Sequence, residues 1–220
     1  MPMAIEKDIL MATSFEPAST PRLRCELHNA ITHFAHSTFE CDMTDPHSIE
    51  LVHFGNKRWA NYFKVVLLGL QSVLPPEVRQ NAHGTIKVLV DGTVPPESSL
   101  SSSAAMTTCS SIVILTALQA VHVVPRKVIA DVACHSERLV GVHSGGMDQA
   151  VSVFGQRDKA LFVSFAPTLH VSPIELPLGH QYVFLVTNTM IKSDKKATAP
   201  ERYNLRVVET RLAAAVLKRV

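Results

Sequence analysis

Asp148 follows two glycines in the run G-V-H-S-G-G-M-D-Q at 141–149. Glycines let the backbone take positive φ and come close to a ligand, so a carboxylate presented there is placed to orient or deprotonate a hydroxyl group. A second run, V-P-P-E-S-S-L-S-S-S-A-A at 94–105, passes from a proline turn into small hydroxyl residues that open a long uncharged segment. The first turn of a helix leaves backbone N–H groups unpaired and carries the positive end of the helix dipole, which makes an anion site. Ser101, Ser102 and Ser103 add hydroxyls that suit phosphate oxygens or a magnesium ion. A phosphate cradle and a placed carboxylate together point to phosphoryl transfer. Glu97 stands against that reading, because a phosphate-binding loop favours glycine and a carboxylate beside phosphate oxygens is repelled.

Each of these features also has a plain structural explanation. The serine triplet serves equally as the cap of an ordinary helix. Gly145-Gly146 can be a simple turn, with Asp148 capping a helix over 149–153. Glu137 lies eleven residues before Asp148 and suits Mg²⁺ by its chemistry, but a surface pair with Arg138 or Lys127 is the commoner fate of such a residue. Tyr203, in Y-N-L-R at 203–206, either contacts a sugar or anchors a helix start, and the sequence does not choose.

The elements that must position these residues follow from periodicity. Partial alternation predicts strands over 4–13 and 22–28 with a Pro/Ser turn between them, and a weaker strand over 48–53. Apolar residues at helical spacing (Trp59, Tyr62, Phe63, Val66, Leu67, Leu70) predict a helix over 59–74 that stops before Pro75-Pro76. A strand over 86–90 leads to helices over 101–122 and 125–140. Further strands are expected over 161–165 and 182–187, and a last helix runs from residue 200 with Leu205, Val208, Leu212 and Val216 on one stripe. Early strands followed by mixed helices and strands give an α+β architecture.

Composition removes several functional classes. With 220 residues, 46% of them hydrophobic, the chain buries one large core or two small ones. A net charge of +2 without a dense Lys/Arg block gives no reason to expect nucleic acid or an anionic membrane as a partner. Eleven scattered histidines form no metal-binding spacing. Four cysteines (Cys25, Cys41, Cys109, Cys134) lie far apart without a C-x-x-C pair, as expected of reduced thiols in a cytoplasmic protein. The stretch 98–125 has no charged side chain and is long enough to span a bilayer, yet its serines, threonines, Gln119 and His122 favour a helix buried in protein.

In combination, these motifs resemble galactokinases of the GHMP kinase superfamily, the fungal branch above all. The resemblance rests on L-S-S-S-A-A at 100–105 after V-P at 94–95, and on G-V-x-x-G-G-M-D-Q at 141–149 followed by A-V-S-V-F-G. P-M-A-I at 2–5, W-A-N-Y-F-K at 59–64 and Y-N-L-R-V-V-E at 203–209 extend it over the whole chain. It implies a GHMP kinase N-terminal domain of the ribosomal protein S5 domain 2 type over 1–190, with a second domain beginning at 191–220. It implies ATP-dependent, Mg²⁺-assisted phosphorylation of the C1 hydroxyl of D-galactose, with Asp148 as the catalytic carboxylate. The positions implied for ATP are Pro95, Ser98, Ser99, Leu100, Ser101, Ser102, Ser103 and Ala104; for Mg²⁺, Ser102, Ser103 and Glu137; for galactose, Gly145, Gly146, Asp148 and Tyr203. The family's galactose-binding signature normally precedes P-M-A-I, so the resemblance implies a central fragment. Fungal relatives of this fold that act as transcriptional sensors offer the alternative of a galactose- and ATP-responsive regulator with a repressor as partner.

Overall fold

The computed structural model describes residues 1–176, 184–187, 189–191 and 201–218. Its centre is a four-stranded sheet of β1 (Ile9–Pro17), β2 (Leu23–Asn29), β3 (Ser37–Cys41) and β4 (Gly84–Gly92) in the order β1-β4-β2-β3. β4 runs antiparallel to β1 and parallel to β2, so the chain crosses over through β3 and helix α1 (Asn61–Gln71) between the two central strands. One face is apolar because alternate residues turn inward. Leu23, Cys25 and Leu27 of β2 and Ile86, Val88 and Val90 of β4 are buried, while Arg24, Glu26, Glu40, Lys87 and Glu16 pair across the outer face.

The buried face is covered by α1 and α3 (Ser102–Ala117), with α4 (Arg126–Arg138) and α5 (Met147–Phe154) packed beyond them. α3 lies between α1, α4, α5 and β1, which explains its lack of charge. Two of its buried hydroxyls bond back within the helix: Thr107 Oγ1 donates to the carbonyls of Ser103 and Ala104, and Ser111 Oγ donates to that of Thr107, whereas Thr108 Oγ1 and Ser110 Oγ have no partner among the described residues. No described helix is long and apolar enough to cross a membrane. Short α2 (Pro76–Gln80) turns the chain into β4, a hairpin of β5 (Lys159–Ser164) and β6 (His170–Glu175) follows α5, and α6 (Tyr203–Leu217) is the last element.

The α+β architecture and the helices over 61–71, 102–117 and 126–138 agree with the sequence expectations. Several strands do not. The first begins at Ile9 rather than residue 4, and it continues to Pro17 because its partner is β4 and no turn intervenes. Residues 48–53 form no strand: a short 3-10 turn at Pro46–Ser48 precedes an irregular segment pinned by Asn61, whose side chain bonds both backbone groups of Val52. The third strand is instead Ser37–Cys41. Of the strand expected over 182–187, Tyr182 and Val183 lie outside the described residues, and 184–187 carry no regular structure. Pro200 also lies outside them, and the last helix starts at Tyr203 with its apolar stripe exposed.

Candidate functional site

The loop between β4 and α3 starts from a fixed point, since the N–H groups of Thr93 and Val94 both donate to the carbonyl of Asp8. Beyond it the backbone alternates in hand. Glu97, Ser99 and Ser101 sit at φ +58°, +60° and +58°, in a region that ordinary side chains rarely adopt. Alternation of right- and left-handed residues turns successive N–H groups towards one point, the nest that receives anions. Ser101 is the N-cap of α3, but its side chain makes no capping bond, contrary to the expectation for a serine there. The first N–H groups of α3 therefore stay available.

These groups face a cavity of about 310 Å³. Ser99, Ser101, Ser102 and Ser103 line it together with the aromatic Phe34, Trp59 and Tyr62. Trp59 is held by its indole N–H, which donates to the carbonyl of Ala35 at 2.8 Å. Arg58, His33, Asp91 and Glu97 also line the cavity. Pro95, Ser98, Leu100 and Ala104 do not line it. Ser98 Oγ instead donates to the carbonyl of Pro95, closing the turn, and Ala104 is packed in the core.

The second cluster forms around α5. Gly146 is its N-cap at φ +89°, and a β-carbon there would lie 2.8 Å from Cys134 Sγ and 3.1 Å from the Phe165 ring. Gly145 is different from what the sequence suggests: it has no positive φ, and a β-carbon would meet nothing within 4 Å. Asp148 stands in the first turn of α5, where the helix dipole favours a negative charge. Glu137, on α4, is not a surface residue paired with Arg138 or Lys127. It is buried, and its Oε2 accepts from Ser144 Oγ at 2.9 Å and from Gln149 Nε2 at 2.5 Å.

The start of α6 docks on the same turn. The side-chain carbonyl of Asn204 accepts from the N–H of His143, and its amide donates to the carbonyl of Gly141, each at 3.2 Å. Tyr203 is thereby brought to Asp148 and Glu137, and its phenol is pushed above its usual range by burial first and then by these two carboxylates. Asp148, Glu137, Gly146 and Tyr203 thus come together, on α4, α5 and α6, while the serine loop and its cavity lie at the start of α3.

The model of the GHMP kinases N terminal domain matches residues 61–156, which include both loops. That segment is similar to a GHMP kinase N-terminal domain. Around this domain the similarity to galactokinases extends over 99% of the chain, at 32% identity to the galactokinase of Schizosaccharomyces pombe and 36% to that of Candida albicans. The chain spans about two fifths of those relatives, 42% and 41% of their lengths. Among solved structures, the galactokinase of Lactococcus lactis complexed with galactose superposes with a TM-score of 0.70 at 20% identity, over 99% of this chain and 51% of that one, which shows the shared fold.

The sequence motifs left some of the candidate site unnamed. Trp59 and Tyr62 were visible as part of a helical stripe and of the run W-A-N-Y-F-K but not as site residues, although their i, i+3 spacing on one side of a turn was a usable signal. Phe34, Arg58 and Asp91 reach the cavity from separate elements, and no local pattern joins them. Gln149 could have been noted as a polar residue beside Asp148, but only the fold brings it to Glu137.

Proposed function

We propose that this chain is the nucleotide-binding part of a galactokinase, which transfers the terminal phosphoryl group of ATP to the C1 hydroxyl of D-galactose. The observation that carries the proposal is the cavity that joins a nest of backbone N–H groups to an aromatic wall. Phosphates bind to oriented N–H groups and helix N-termini, and a purine ring binds to flat aromatic surfaces. In this reading the base lies against Trp59 and Tyr62, and the phosphates lie over residues 99–103. Leu100 and Ala104 then contribute through the backbone alone, and Pro95 and Ser98 shape the turn.

Asp148 is the group that orients the sugar hydroxyl and accepts its proton as the phosphoryl group departs. Gly145, Gly146 and Tyr203 form the sugar's contact surface beside it. Magnesium takes oxygen donors of the kinds found at Ser102, Ser103 and Glu137, hydroxyls and a carboxylate whose Oε1 accepts no hydrogen bond among the described residues. The ion supplies charge neutralisation on the phosphates.

The exposed stripe of α6 supports a second domain that begins near residue 191, since Leu205, Val208, Leu212 and Val216 are between 42% and 63% exposed. A reducing, cytoplasmic setting fits four cysteines without a disulfide.

The test is galactose-dependent ADP formation by the natural protein. Asp148→Asn should lower the rate by about a thousandfold or more while leaving ATP binding within about threefold. A variant as fast as the parent would remove Asp148 from the reaction.

A further inference from the structure

The cavity has a feature that a phosphate site does not need. Its charged lining is one arginine, Arg58, against two carboxylates, Asp91 and Glu97, with His33 beside them. Among the described residues none of these three charges belongs to an ion pair. Glu97 lies within the nest itself, between the turn of Pro95 and the serines, and its backbone is held at φ +58°. The attraction of the N–H groups for phosphate is therefore opposed by a negative charge carried on the same loop.

An uncompensated carboxylate acts most strongly on the most highly charged ligand. A nucleoside triphosphate bound to a divalent cation carries about two fewer negative charges than the free nucleotide, and the cation's own charge must be counted in the site. We propose that Glu97, with Asp91, makes this cavity selective for the metal complex of the nucleotide by repelling the free polyanion. The proposal rests on the nucleotide reading of the cavity and adds a specificity-determining residue to it. Specificity then comes from a repulsive element placed among attractive ones.

The chain contains a single tryptophan, and Trp59 lines this cavity, so its fluorescence reports occupancy directly. The experiment titrates the wild-type chain and Glu97→Gln with ATP in excess Mg²⁺, with ATP in EDTA, and with adenosine. Glutamine keeps the shape of the side chain and the backbone strain while removing the charge. Wild type should prefer the metal complex by about tenfold or more, and the variant should narrow that preference about three- to tenfold by tightening free ATP. Adenosine, which is neutral, should bind both chains alike, and Asp91→Asn should act in the same direction as Glu97→Gln.

An unchanged preference in the variant, with both forms of ATP still binding, overturns the inference and leaves the nucleotide site standing. A preference narrowed because the metal complex binds more weakly makes Glu97 a metal contact and overturns it too, as does an equal change for adenosine. No response of Trp59 to any of the three ligands, in either chain, removes the nucleotide reading together with the inference.

Discussion

Two helices of this protein open in the same way, and the difference between them is instructive. Both α3 and α5 begin at a left-handed N-cap without a side-chain capping bond, Ser101 at φ +58° and Gly146 at φ +89°. At α5 the left-handed residue is glycine, seated against Cys134 and Phe165, and a buried carboxylate, Glu137, ties the turn to α4 through Ser144 and Gln149. At α3 three residues with side chains, Glu97, Ser99 and Ser101, adopt that conformation, and Ser98 Oγ supplies a turn-closing bond to Pro95. Left-handed backbone costs a non-glycine residue about 1–2 kcal/mol. The α5 turn is thus a fixed mount for one carboxylate, and the α3 loop is a strained, open surface whose N–H groups are left for a ligand.

The largest effect should come from breaking the mount. Gly146→Ala adds a β-carbon into Cys134 and Phe165 at a forbidden φ, and should destabilise the fold by about 3 kcal/mol in urea unfolding. Gly145→Ala, two atoms of backbone away and facing open space, should stay within about 1 kcal/mol. Equal losses at both positions would mean that the turn is not held as described.

A smaller effect is expected when the network behind the mount is cut. Gln149→Leu removes a donor from the buried Glu137 carboxylate and should cost about 2 kcal/mol or somewhat more, whereas Ser144→Ala, on the more open side, should cost about 1 kcal/mol. Smallest, and opposite in sign, is the change at the strained loop. Glu97→Gly or Ser99→Gly relieves a positive φ and should stabilise by roughly 0.5–1 kcal/mol each. A loss of stability from both would show that the loop is not strained, and the contrast between the two helix starts would collapse.

How much of this was legible in the sequence depended on whether a feature carries its own signal. The uncharged run behind Ser101 and the stripe from Trp59 to Leu70 had to be buried helices, and they are. β1 is mostly exposed, so it lacks a clear alternation, and its limits are set by its pairing with β4. β3 is five residues long, with only Ser37 and Cys41 fully buried, too little to stand out from the loop around it. The site was half legible. Asp148 and the serines were named by their motifs, whereas Glu137 was named as a candidate magnesium ligand beside a plainer surface reading, and its burial could not be read because it depends on Ser144 and Gln149 folding over it. The left-handed φ of Glu97 could not be read, since the residue type argues against it.

The most direct test of the central claim is a crystal structure of the chain with magnesium and a non-hydrolysable ATP analogue. The expected result is a base against Trp59 and Tyr62 with phosphate oxygens within about 3 Å of the backbone N–H groups of residues 99–103. A nucleotide bound elsewhere, or phosphates turned away from the start of α3, would contradict it.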